Sequence, residues 1–282
     1  MVSEEVSFHI DDLVIAGQEW GVPGNLPIIA LHGWLDNSAS FDRIAPLLKN
    51  IHLIALDSAG HGKSSHRAKG GPYLIWQDVA DVFEVADQMG WQSFGLLGHS
   101  RGAIISTLAA GTFPERISHL GLIDGFRPGS VSAEESPQQL ARSIIETKRN
   151  RHRGFAHYPD EETAIMVRQR SEIPLNHDAA KMLTGRGLKE VDGGFTWSSD
   201  PQLKIASGFK LSEEHCDAFI QRISARIKLI IAENGIPRIK EGLEKVVKKY
   251  PQVEVERMAG SHHLHMEDPA EKVADVFNQF FL

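Results

Sequence analysis

Five short, nearly uninterrupted apolar runs recur along the chain: PIIALHG (27–33), IHLIALD (51–57), FGLLGHS (94–100), ISHLGLID (117–124) and IKLIIAE (227–233). Runs this short and this apolar suit strands covered on both faces, as in a parallel sheet. Between them the apolar positions take on a helical period, in SFDRIAPLLKN (40–50), LIWQDVADVFEVADQMG (74–90) and AIISTLAAGTF (103–113), then later in KEGLEKVVKKY (240–250) and EKVADVFNQFF (271–281). Strand followed by helix, repeated, predicts βαβ units and an open sheet with helices on both faces. The N-terminus differs. VSFHI and LVIAGQEWG, separated by Asp11 and Asp12, predict an antiparallel hairpin on the sheet's edge, and VEVERMA (253–259) predicts a last strand. The expected fold is therefore α/β, a mostly parallel, doubly wound sheet of about eight strands.

This alternation stops between about Phe126 and Arg226. Polar helical segments such as PQQLARSIIETKRN and EETAIMVRQRS take over there, with glycine-rich turns including DGGFTW. The stretch is expected to be a cap inserted over the C-terminal edge of the sheet, where open α/β sheets place their sites. On that reading residues 1–125 and 227–282 form the core and 126–226 the cap. No internal repeat or low-complexity segment interrupts the pattern.

Composition narrows the function classes. The 282 residues are 41% hydrophobic and 24% charged, as in ordinary globular proteins, and no apolar run is long enough for a membrane span. MVSEEVSFHI carries acids where a secretion signal needs bases, so a cytoplasmic location is expected. Cys216 is the single cysteine, which excludes an internal disulfide and a cysteine-based metal cluster. A net charge of −7 argues against nucleic acid as a partner. The one basic cluster, TKRNRHRGF (147–155), reads as a solvated face, with an anion-binding patch as its alternative.

GHSRG (98–102) matches GxSxG and stands between an apolar strand and a helical run. A serine at such a junction sits on a sharp turn with its hydroxyl pushed out of the sheet, and Gly98 and Gly102 leave room for the strained backbone. The plainer reading is that Ser100 caps the helix. Serine needs a base to become a nucleophile. AGSHHLHMEDP (259–269) offers three histidines beyond the last strand, of which His262 comes first after the turn signal; His263 and His265 are expected to pack or face solvent. A metal site built on the three lacks a carboxylate or cysteine to complete it, and no metal or cofactor is expected. Acyl transfer also needs oxyanion donors. Arg101 supplies one backbone N–H after the serine, and LHGWLDN places Gly33 so that Trp34 can turn a second inward.

HGW (32–34), DSAGHGKS (57–64), GHSRG (98–102) and GSHHLHMEDP (260–269) stand in an order that resembles the α/β-hydrolase superfamily along nearly the whole chain. More narrowly, LHGWLDNSASFDRIAPLL and RGLKEVDGGFTWSSDPQLK (186–204) look like its serine hydrolase-like, or Kraken-like, group. The resemblance implies a triad in the order serine, acid, histidine. In most relatives the acid follows the strand equivalent to KLIIAE, but here the chain reads Ala232, Glu233, Asn234, Gly235, with glycine where the aspartate is expected. Some relatives, haloalkane dehalogenases among them, carry the acid after the preceding strand, which here ends at Asp124. Asp124 is the expected acid and Glu233 the fallback. Asp57 is expected to be structural, His99 to point away from Ser100, and His32 to support the oxyanion loop.

The expected function is hydrolysis of a small carboxylic ester through an acyl-enzyme. Ile144, Phe155, Met166, Met182, Phe195 and Trp197 are candidates to line the acyl site or to pack the cap. Thioester, amide and carbon–carbon bond hydrolysis share the constellation. The alternative of a different class is a small-molecule receptor on a hydrolase fold with little turnover. The sequence leaves the oligomeric state open.

Overall fold

The computed structural model describes residues 3–68, 72–150 and 154–282. Arg151, His152 and Arg153, the middle of the basic run, lie outside the described residues. Eight strands form the main sheet: β1 (Glu4–Ile10), β2 (Leu13–Gly21), β3 (Leu26–Leu31), β4 (Ile51–Leu56), β5 (Phe94–His99), β6 (Ile117–Ile123), and, beyond three short strands β7–β9, β10 (Arg226–Ala232) and β11 (Val253–Met258). Their spatial order is β1-β2-β4-β3-β5-β6-β10-β11. The expected edge hairpin is β1–β2, and β2 also runs antiparallel to β4, while every later pairing is parallel.

Successive residues of a strand point to opposite faces, so each apolar run feeds two cores. Ile29, Leu31, Ile54, Leu56, Leu96 and Leu122 join one cluster with helices α1 (Ile75–Gln88) and α2 (Arg101–Thr112). Ile28, Ala30, Leu53, Leu97, Ile123 and Ile230 join the other. Among the described residues no helix is long and apolar enough to cross a membrane.

Two expectations on elements are corrected. SFDRIAPLLKN forms only two 3-10 turns, Ser38–Phe41 and Ala45–Leu47, because Pro46 removes an N–H that a continuous helix would need. Residues 126–226 contain helices α3 (Ser136–Asn150), α4 (Glu161–Gln169), α5 (His177–Gly187) and α6 (Glu213–Gln221), but also a small antiparallel sheet of β7 (His157–Tyr158), β8 (Leu188–Val191) and β9 (Gly194–Trp197). Ile165, Leu175, Ala179, Ala180 and Leu183 cluster beneath α4 and α5, with Met266 rising from the core. α6 falls inside the span expected as a cap, yet it lies against α2: Gly111 abuts the Phe219 backbone, and Ile220 enters the sheet's own core. Helices α7 (Pro237–Lys249) and α8 (Ala270–Phe280) complete the two helical layers.

Candidate active site

Ser100 stands between β5 and α2 with φ 50° and ψ −110°, a conformation that costs energy for any residue with a Cβ. A Cβ on Gly102 would run into the Leu31 carbonyl oxygen, and one on Gly98 into the Ala103 backbone. Glycine at these two positions lets α2 start directly against the sheet, which forces the sharp turn. Ser100 makes no side-chain cap to α2. Its Oγ instead lies 2.9 Å from His262 Nε2.

The other ring nitrogen of His262, Nδ1, lies 2.6 Å from Asp124 Oδ2. The ring is therefore fixed at both ends. Asp124 sits one residue past β6 with φ 44°, and its N–H donates to the Ile230 carbonyl of the neighbouring strand. The Ala232 N–H donates to its second oxygen, Oδ1, at 3.0 Å. Both carboxylate oxygens thus have defined partners in a fully buried position. Gly235 lies directly beside this group: a Cβ there would come within 2.8 Å of Asp124 Oδ2. Glu233 is exposed, with its backbone tied to Met258 and Lys240, and among the described residues its carboxylate has no hydrogen bond to His262.

The loop after β3 comes next. Among the described residues the backbone N–H groups of Trp34 and Arg101 have no hydrogen-bond partner, and Gly33 and Trp34 share a cavity with Ser100. Two buried histidines brace this loop. His32 donates from Nδ1 to the Gly33 carbonyl and accepts at Nε2 from the Ser58 N–H, while His61 Nε2 accepts from the Leu35 N–H. Burial holds both imidazoles below their usual pKa, His61 well below, so each remains neutral and keeps an acceptor nitrogen. The Trp34 indole donates to the Leu203 carbonyl, and the Arg101 guanidinium pairs with buried Asp78. Asp57 accepts from the Ser38 and Lys63 N–H groups and from Arg186, the contacts of a structural residue.

His99 donates from Nε2 to the His262 carbonyl at 3.0 Å and shares the lining of the Ser100 cavity. It stacks among His262, His263 and His265 at ring separations of 4.2 to 5.2 Å. Burial, then the neighbouring imidazoles, holds His99 well below its usual pKa and lowers His265 to about 3. Neither His263 nor His265 faces solvent; both are buried. Among the described residues no group of three or more histidine, cysteine or acidic side chains is arranged to hold a metal ion.

Asp36 and Arg168 were not legible as site residues. Asp36 is buried under the Gly33 turn, and its Oδ1 accepts from Arg168 Nη2 of α4 at 2.6 Å. Burial opposes ionisation of Asp36, but His263 and Arg168 outweigh it and hold the carboxyl well below the usual range. At 3.7 Å His263 is too far for a direct hydrogen bond, so the Arg168 contact fixes the charge. A cavity of about 400 Å³ opens at Ser100, lined from the core by Trp34, Asp36 and His263, and from residues 126–226 by Tyr158, Val167, Ile173, Trp197 and Lys204. Of the six apolar candidates, Trp197 alone lines it. Ile144, Phe155 and Met166 are exposed, Phe195 is half-buried outside the lining, and Met182 borders a shallower groove near Lys63 and Arg186.

A sequence model of the α/β hydrolase fold matches residues 27–156. Serine hydrolase-like proteins of Mus musculus and Danio rerio are 30% and 29% identical; each alignment covers 94% of this chain, and 91% and 84% of those proteins. A hypothetical protein of Pseudomonas aeruginosa PAO1 has a crystal structure with a TM-score of 0.94, 41% identity and 99% coverage of both chains. The chain belongs to the α/β-hydrolase superfamily, in its serine hydrolase-like group. In this α/β-hydrolase the strand order and the turn at Ser100 supply the family's scaffold. No local motif marks Asp36 or Arg168, whose partnership spans 132 positions of the sequence.

Proposed function

We propose that this protein is a serine hydrolase that cleaves small carboxylic esters through an acyl-enzyme, with Ser100, His262 and Asp124 as its triad. The observation that carries the reading is the unbroken chain of hydrogen-bonding contacts from Asp124 through His262 to Ser100. Asp124 accepts a hydrogen bond from the Nδ1–H of His262, a tautomer that leaves the Nε2 lone pair facing the serine hydroxyl. Ser100 Oγ attacks the ester carbonyl carbon as its proton passes to His262 Nε2. The carbonyl oxygen becomes an oxyanion, met by the Trp34 and Arg101 N–H groups. Collapse breaks the bond to the alcohol, which leaves with the proton from His262. Water then attacks the acyl carbon by the same route, releasing the carboxylic acid and free Ser100.

The cavity of about 400 Å³ suits a short acyl or alcohol group, held against Trp197 and Val167. Thioester, amide and carbon–carbon bond hydrolysis would use the same groups. A chain-length panel of activated esters, run with a serine-directed phosphonate probe, tests the reading. Turnover and labelling of Ser100 are expected, with Ser100→Ala losing the label and about 10⁶-fold in turnover. No labelling and no turnover of any ester would favour the small-molecule receptor instead.

A further inference from the structure

The small sheet within residues 126–226 gives the Ser100 cavity a wall with one hydroxyl set into it. β7 and β9 pair antiparallel with Tyr158 opposite Phe195, and side chains alternate along a strand, so Tyr158 and Trp197 stand on one face as diagonal neighbours. Both line the cavity, and their rings meet edge to face at 6.4 Å. Gly187, the last residue of α5, seats the indole, because a Cβ there would come within 3.0 Å of the Trp197 ring. The Ser198 N–H donates to the Gly187 carbonyl and Thr196 Oγ1 to the Ala156 carbonyl, which fixes both strands.

The indole N–H of Trp197 donates to the Tyr158 phenolic oxygen at 3.1 Å. That contact uses an acceptor site of the hydroxyl and leaves its proton, for which no acceptor stands among the described residues. Donation into the oxygen also polarises the O–H and strengthens it as a donor. Other donors around the cavity are committed: Trp34 to the Leu203 carbonyl, Ser171 to the Ile173 carbonyl, and Arg168 to Asp36 and Ser171. Ser199 brings a second hydroxyl to the lining. A substrate that meets Tyr158 with hydrocarbon alone strips water from the phenol and leaves its O–H unpaired, a cost that a substrate with an acceptor there avoids. Building on the hydrolase reading of the same site, we propose that Tyr158 determines specificity, and that the preferred esters carry a keto, ether or hydroxyl oxygen on the group held against Trp197.

Two matched series test this: 4-nitrophenyl hexanoate and hexyl acetate, each beside the ethers in which an oxygen replaces one methylene of the six-carbon chain. The ratio of kcat/KM, ether to hydrocarbon, cancels any general loss of activity in a variant. It is expected to fall about tenfold from wild type to Tyr158→Phe for at least one position of the oxygen, and to hold in Ser199→Ala. Ratios unchanged in Tyr158→Phe at every position, with turnover and Ser100 labelling intact, would overturn this assignment alone. A preference lost in Ser199→Ala and kept in Tyr158→Phe would do the same. No turnover of any ester and no label on Ser100 would overturn it together with the hydrolase reading.

Discussion

Gly235 stands where the family resemblance would put the acid, and its lack of a side chain leaves room for Asp124 beside His262. With a Cβ position 2.8 Å from Asp124 Oδ2, any larger residue would press on the oxygen that holds His262. Gly235→Ala should therefore lower kcat about 10- to 100-fold with the fold intact, because small displacements of a catalytic group cost that much; steady-state ester kinetics beside a circular dichroism melt checks it. Ser100 and His262 were legible because each is announced locally, by a strand–glycine–serine–glycine–helix junction and by a turn after the last strand. The acid was narrowed to two residues but not settled. Asp124 and Glu233 both end strands, β6 and β10, that are neighbours in the sheet, and sequence spacing does not say which carboxylate turns inward. In the folded chain the positive φ at Asp124 and the Ala232 N–H place that side chain against the His262 ring, while Glu233 is exposed.

Among the elements, the parallel strands were read nearly to the residue, since a buried strand declares itself through an unbroken apolar run. The small β7–β9–β8 sheet was not, because its strands have two to four residues each and show no alternation long enough to register. The link between α4 and the Gly33 turn was equally hidden. Arg168 and Asp36 form a buried pair, with side chains 12% and 1% exposed, that ties a helix of the inserted segment to the loop carrying Trp34. Arg168→Met leaves Asp36 buried and unpaired, so it should destabilise the fold by about 3 kcal/mol in urea unfolding, and adding Asp36→Asn should recover most of that. Recovery in the double variant separates a charge left alone from a loss of packing.

At the scale of the whole molecule, fold class and strand count followed from the repeat of apolar run and helix, while α6 shows why the segment boundary did not. Its apolar residues are equally suited to a cap's own core and to α2, and only the close approach at Gly111 assigns them. Burial also sets a pH response for the chain. It raises the Asp42 carboxyl from 3.8 to about 6, partly offset by Arg186. The folded state then holds this proton more tightly than the unfolded one, so the contribution of Asp42 is most favourable below about pH 4 and is lost as pH rises toward 6. Relative to wild type, Asp42→Asn should gain roughly 1–2 kcal/mol of stability between pH 4 and pH 7, after allowing for solvent screening, as read by urea unfolding at both pH values.

The central claim is that the acid has moved one strand inward from the family's usual place, and the ester turnover of Asp124→Asn beside Glu233→Gln tests it most directly. Asp124→Asn should lose about 10⁴ in kcat while Glu233→Gln matches wild type. Turnover that survives in Asp124→Asn and collapses in Glu233→Gln would contradict the account.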